Sequence, residues 1–115
     1  MNITVIGSGY VGLVSGSCFS TMGNKVTCVD IDPVKIEKLN QGIIPIFEPG
    51  LDEIVKRCRG KNLFFSTEVH KCISEADMIF ISVNTPIKKE GINFNAIQKK
   101  INFVIEKFIW LVLFS

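Results

Sequence analysis

Residues 2–6 (NITVI) are apolar or β-branched and predict a strand covered on both faces, as suits the centre of a parallel sheet. From Tyr10 to Met22 the apolar residues Val11, Val14, Cys18 and Met22 recur at helical spacing, and Gly23-Asn24 predicts the stop. KVTCVD (25–30) predicts a second strand that ends in an acid. PVKIEKLNQG (33–42) sets Val34, Ile36 and Leu39 among charged residues and predicts an amphipathic helix closed by Gly42. Asp32 is read as its N-cap, with Pro33 at the first helical position.

The prolines of IIPIFEPG (43–50) exclude regular structure there, and LDEIVKRC (51–58) predicts a short helix with acids early and bases late. NLFFST (62–67) follows as a third strand and EVHKCISEA (68–76) as a short helix. DMIFISVNTP (77–86) contains a fourth strand, whose apolar or small core from Met78 to Val83 predicts a place beside the first. KKEGIN (88–93) reads as a polar loop. Ile97, Ile101, Val104 and Phe108 predict a helix from Phe94, and IWLVLFS (109–115) predicts a fifth strand.

Four glycines, at 7, 9, 12 and 16, follow the first strand closely. Glycine weakens helices and strands, so this density needs a steric reason. The spacing Gly7-Ser8-Gly9-Tyr10-Val11-Gly12 is that of a dinucleotide-binding turn. There the first glycine makes the bend, the second admits a pyrophosphate to the backbone, and the third brings helix and strand together. Free N–H groups at the positive end of the helix would hold the diphosphate. Gly16 is read as a helix-packing glycine.

Asp30 lies 18 residues beyond Gly12, close to the ~20-residue offset of an adenosine-ribose carboxylate. It would accept from the ribose hydroxyls and repel a 2′-phosphate, which favours NAD over NADP; Lys35 is the nearby cation that could tolerate a phosphate. Asn84-Thr85-Pro86 should flank the same crevice from the end of the fourth strand. The predicted class is α/β, a Rossmann-like doubly wound and mostly parallel sheet, truncated after about five strands.

At 115 residues the chain has room for one core and too little for two ordinary domains. A net charge of +2, with dispersed lysines, gives no reason to invoke nucleic acid. FIWLVLF is far shorter than the ~18 to 20 apolar residues that span a bilayer, and the opening MNITVIG enters a strand at once, so a cytoplasmic location is expected. Cys18, Cys28, Cys58 and Cys72 form no CxxC or Cys/His cluster and are read as free thiols rather than zinc ligands. Two of them, Cys18 and Cys28, sit at apolar positions of predicted elements. His70 is read as a surface residue.

MNITVIGSGYVGLVSG, VTCVDIDPVKIEKLNQGIIPIFEPGL and ADMIFISVNTP together resemble the amino-terminal domain of the UDP-glucose/GDP-mannose dehydrogenase family, over residues 1 to about 86. The wording GIIPIFEPGL is most similar to the UDP-glucose 6-dehydrogenases; GDP-mannose and UDP-N-acetylmannosamine dehydrogenases share the general pattern. The resemblance implies that Gly7, Gly9 and Gly12 hold the NAD pyrophosphate, with contacts from Tyr10 and Val11. It implies further that Asp30 and Lys35 engage the adenosine ribose, that Thr85 lies beside the nicotinamide half, and that Glu48–Leu51 is structural.

In that family an alcohol carbon is oxidised twice, each time with NAD as hydride acceptor, and a cysteine thiolate of a later domain captures the substrate. None of the four cysteines matches that position, so no catalytic residue is assigned. Residues 1–115 are thus expected to form an incomplete NAD-binding domain, without the helix that makes the family dimeric and without the UDP-binding domain. Oxidation by the chain alone is not expected. The alternatives are a dehydrogenase fragment for another nucleotide sugar, a non-catalytic dinucleotide-binding remnant or partner module, and, more remotely, a flavin on the same turn.

Overall fold

The structure, a computed structural model, describes residues 1–84, 87–88, 91–92 and 109–114. The elements run β1 (Asn2–Ile6), α1 (Tyr10–Thr21), β2 (Lys25–Val29), α2 (Pro33–Asn40), α3 (Leu51–Cys58), β3 (Leu63–Ser66), α4 (Val69–Glu75) and β4 (Met78–Asn84). Two short strands, β5 (Ile87–Lys88) and β6 (Gly91–Ile92), and a longer one, β7 (Ile109–Phe114), complete them. Five strands form one sheet in the order β3-β2-β1-β4-β7, and all its pairings are parallel.

The chain steps outward from β1 through β2 to β3, then returns to the other side of β1. That reversal puts a crevice at the carboxyl ends of β1 and β4, where open α/β sheets take their ligands. The expected α/β class, the strand order around β1 and the doubly wound plan all hold.

Alternation along the strands divides the core in two. Ile3, Val5, Val26, Cys28, Leu63 and Phe65 pack with Leu13, Ile36, Leu39, Leu51 and Val55 from α1, α2 and α3 on one side of the sheet. Ile79 and Ile81 pack with Ile73 and Ala76 in a smaller cluster under α4 on the other. Phe19 of α1 meets Phe80 of β4 edge to face at 5.4 Å. β1 is covered from both sides, as its composition predicts.

α1 departs from its predicted stripe. Its buried residues are Gly12, Leu13, Gly16, Ser17 and Ser20, whereas Met22 is exposed and so is Cys18. The reason is proximity: a Cβ on Gly16 would stand 2.6 Å from the Cys28 sulfur, so only small side chains fit between this helix and the sheet. A larger apolar stripe would hold the helix off. Packing on the sheet, and not hydropathy, therefore selects the face, and Cys18 is corrected from apolar position to exposed surface. Val34 is likewise exposed, while Ile36 and Leu39 carry the buried face of α2.

Ser17 is fully buried, and its hydroxyl has no hydrogen-bond partner among the described residues. An unsatisfied buried hydroxyl costs about 1–3 kcal/mol, and alanine also favours the helix. Ser17→Ala is therefore expected to raise the thermal midpoint by several degrees, read by circular dichroism.

KKEGIN, expected as a loop, contributes to an antiparallel pair in which Ile87 faces Ile92 and Lys88 faces Gly91. A glycine between polar residues is compatible with either form, so composition alone could not decide. The helix predicted from Phe94 to Phe108 lies outside the described residues. The predicted fifth strand forms as β7 and pairs with β4 from Ile79↔Ile109 to Asn84↔Phe114. Among the described residues no helix is long and apolar enough to cross a membrane.

Candidate cofactor site at the β1–α1 turn

The end of β1 feeds directly into the turn. Gly7 has φ 100, a left-handed conformation that side chains resist, and its N–H still donates to the Val29 carbonyl of β2 at 2.8 Å. The chain thus bends sharply while tied to its neighbour strand. Gly12 needs its missing side chain for another reason: a Cβ there would lie 1.9 Å from the Gly7 carbonyl oxygen. Helix and turn touch backbone to backbone.

Gly9 differs from both. It caps α1 with extended dihedrals, φ −73 and ψ −167, which any residue can adopt, and a Cβ there would meet nothing within 4 Å. Among the described residues nothing calls for glycine at this place. The open space above it is what a group approaching from outside would occupy.

No side chain caps the start of α1 and no acid lies in its first turn. Intrahelical bonding begins with the Leu13 N–H, which donates to the Gly9 carbonyl at 2.9 Å. The amides of Tyr10, Val11 and Gly12 stand ahead of it at the positive end of the helix, where an anion is favoured. Val11 is partly buried on the first turn of α1.

The second strand brings its acid to this point. Asp30 follows β2, and its N–H extends the β2–β3 pairing by donating to the Ser66 carbonyl at 3.2 Å. Its carboxylate turns toward the glycine turn. Oδ2 accepts from the Ser8 N–H at 3.1 Å and the Ser8 hydroxyl at 2.7 Å, with Lys35 Nζ at 3.7 Å. Oδ1 accepts from the Asp32 N–H at 3.0 Å.

Burial by itself would raise the Asp30 pKa. The bonds from Asp32 N–H, the Ser8 hydroxyl and the Ser8 N–H, together with the Lys35 charge, outweigh it and hold the carboxyl below its ordinary value. Asp30 is therefore a fixed anion at neutral pH, one strand away from the open amides. Lys35 reaches it because Asp32 caps α2, accepting from Val34 N–H at 3.0 Å and Lys35 N–H at 3.4 Å. The cap predicted for Asp32 is present, with Pro33 in the first turn.

One neighbour of the turn was missed by sequence reasoning, and another makes a contact that fits its structural reading. Ser8 is fully buried and couples the turn to Asp30; a hydroxyl residue between two turn glycines is the signal that could have found it. Glu48, expected to be structural only, accepts a hydrogen bond from the Tyr10 phenol. That bond, then burial, then the Glu48 charge raise the Tyr10 pKa, and the contact ties the 43–50 loop to the first turn of α1. Thr85 lies outside the described residues.

Two of the cysteines are sealed in the core. Burial pushes the Cys28 thiol up to about 12, and Cys58 is buried with it in the core. Burial also raises Cys72, which lines a shallow depression at the amino end of the sheet with Asn2, Thr4, Lys25, Thr27 and Glu75.

An NAD-type dinucleotide fits these residues: the gap above Gly9 admits the diphosphate, the helix amides face it, and the ionised Asp30 matches a ribose with free hydroxyls. The family model for the NAD-binding domain of the UDP-glucose/GDP-mannose dehydrogenases matches residues 1–109. UDP-glucose 6-dehydrogenase YwqF of Bacillus subtilis is 53% identical over 92 residues, covering 79% of this chain and 21% of that protein. A ternary complex of GDP-mannose dehydrogenase from Pseudomonas aeruginosa superposes with TM-score 0.82 at 37% identity, over 90% of this chain and 24% of that one. A UDP-glucose dehydrogenase from Pyrobaculum islandicum superposes with TM-score 0.87 at 25% identity, over 97% of this chain and 28% of that one. The chain thus spans about a fifth of the length of the curated relative and about a quarter of the solved ones.

Proposed function

The chain belongs to the UDP-glucose/GDP-mannose dehydrogenase family as an NAD-binding domain, and from that premise we propose that it is the cofactor-binding part of an enzyme that oxidises UDP-glucose to UDP-glucuronate. The observation that carries the proposal is Gly9, where a Cβ would meet none of the described residues within 4 Å, set between the opening amides of α1 and the ionised Asp30. The 53% identity to a UDP-glucose 6-dehydrogenase supports that sugar nucleotide over GDP-mannose.

In this reading Gly9, Tyr10, Val11 and Gly12 present N–H groups to the diphosphate, Gly7 shapes the bend, and Asp30 and Lys35 take the adenosine ribose. Thr85 flanks the nicotinamide half. When bound, NAD supplies the hydride acceptor. The protein's part here is to bind and orient it, with an N-terminal helix dipole against the diphosphate charge.

Attack on a carbon of the sugar requires a thiolate or another nucleophile, and the buried Cys28 and Cys58 do not provide one. Calorimetry of the 115-residue chain is expected to give one saturable site for NAD, with NADP weaker. Steady-state absorbance with UDP-glucose and NAD is expected to show no sustained NADH formation. Absence of NAD binding would overturn the cofactor assignment, and continued turnover would overturn the division of labour.

A further inference from the structure

Ser8 stands between the first two glycines of the turn with no exposed surface, yet its side chain is not an apolar filler. Both its donors converge on a single oxygen of Asp30, the N–H at 3.1 Å and the hydroxyl at 2.7 Å. Lys35 Nζ approaches the same oxygen. Among the described residues the other oxygen takes only the Asp32 N–H. A carboxylate has about four lone-pair directions, so Oδ2 is committed to the protein while Oδ1 keeps one direction for an outside donor.

We propose that Ser8 is a positioning residue that sets dinucleotide preference, locking one oxygen of Asp30 under the turn so that the other is left to accept from a ribose 2′-hydroxyl. The inference rests on the NAD reading above and deepens it by naming what selects the free hydroxyl over a 2′-phosphate. A looser carboxylate would turn further toward Lys35 and leave room for a phosphate. A locked one holds fixed negative charge where that phosphate would sit. The hydroxyl donor at 2.7 Å has the length of a charge-assisted bond, and it adds to the Ser8 and Asp32 backbone donors in holding the orientation of the carboxylate.

Ser8→Ala removes the hydroxyl, keeps the backbone donor and leaves a smaller buried side chain. NAD affinity is expected to fall by up to about tenfold, because the Asp30 acceptor is held less firmly for the ribose. NADP affinity should change much less, so the NAD-to-NADP ratio narrows. A role confined to turn shape would weaken both dinucleotides equally.

The pH profile supplies a second readout. Among the described residues, Lys35 from α2 is the charged side chain that contacts Asp30; the turn contributes Ser8 and β3 the Ser66 carbonyl. Asp30 must be ionised to accept from the ribose, and Ser8 helps hold its pKa below the ordinary ~3.9. Wild-type affinity should then persist as pH falls to about 4, and Ser8→Ala should begin to lose NAD at a higher pH.

In an Asp30→Ala background, adding Ser8→Ala should leave the NAD-to-NADP ratio unchanged, because the two residues act as one unit. If wild type binds NAD while Ser8→Ala keeps the ratio and the pH profile, the positioning role is wrong and the NAD reading stands. Independent, additive effects in the double variant would also overturn it. If wild type binds no dinucleotide, the NAD reading fails first and the inference with it.

Discussion

Gly12→Ala is expected to cost the chain a large part of its stability margin, whereas Gly9→Ala, three residues earlier, should cost almost none and weaken NAD binding at least about tenfold. The contrast follows from where each added methyl would stand. At Gly12 it would lie 1.9 Å from the Gly7 carbonyl oxygen, a backbone atom that is itself tied into the β1–β2 pairing through Gly7 N–H. No rotamer change relieves that clash; helix and turn must part. Overpacking costs of 1–3 kcal/mol are typical where side chains can yield, so about 3 kcal/mol or more is expected here. For a domain of this size that lowers the melting temperature by about 10–20 °C.

At Gly9 the methyl meets none of the described residues within 4 Å and the dihedrals are ordinary, so the midpoint should move by no more than a few degrees. Its effect falls on the ligand, because the methyl fills the approach to the helix amides. A loss of NAD affinity of at least about tenfold, or 1.4 kcal/mol, is the result expected. Thermal unfolding and calorimetry on the two variants test the pair. Equal stability losses, or unchanged NAD binding by Gly9→Ala, would contradict the roles assigned to the two glycines.

Asp30→Ala is expected to weaken NAD by about 10- to 150-fold, the range for one lost hydrogen bond to a charged group. NADP should lose little, because the same change removes a repulsive charge. The variant also strands the buried Ser8 hydroxyl and releases Lys35, so a modest stability loss should accompany it. That loss has a sign in pH. A carboxyl held below its unfolded value stabilises the fold at neutral pH, and the contribution is lost as pH falls below about 4. The stability gap between wild type and Asp30→Ala should therefore narrow toward acid pH.

Much of this was legible in the residues because backbone sterics leaves a direct trace. The spacing of Gly7, Gly9 and Gly12 announces a bend, an open approach and a close crossing, and the structure shows those three situations at those positions. Asp30 could be anticipated beside them because β2 runs parallel to β1, which brings the carboxyl ends of both strands together. The apolar core of β4 likewise announced its place next to β1.

What the residues hid depends on distance across the fold. Gly16 packs against Cys28 and Val26 as the packing glycine it was read to be, but the burial of Ser17 and Ser20 beside it is a fact of packing that no hydropathy stripe along α1 contains. The Ser8–Asp30 and Tyr10–Glu48 bonds join positions 22 and 38 residues apart. Their side chains are common in turns and loops for local reasons, so nothing in their types marks them as partners.

The central claim is that the amides opening α1 and the acid closing β2 grip one dinucleotide. Amide resonances of isotopically labelled chain, followed during titration with NAD, test it most directly. The account predicts that the largest shifts fall on Gly9, Tyr10, Val11 and Gly12 and on Asp30 to Asp32, saturating together. Shifts confined to the far end of the sheet, around Thr4, Thr27 and Cys72, with the turn amides unmoved, would contradict it.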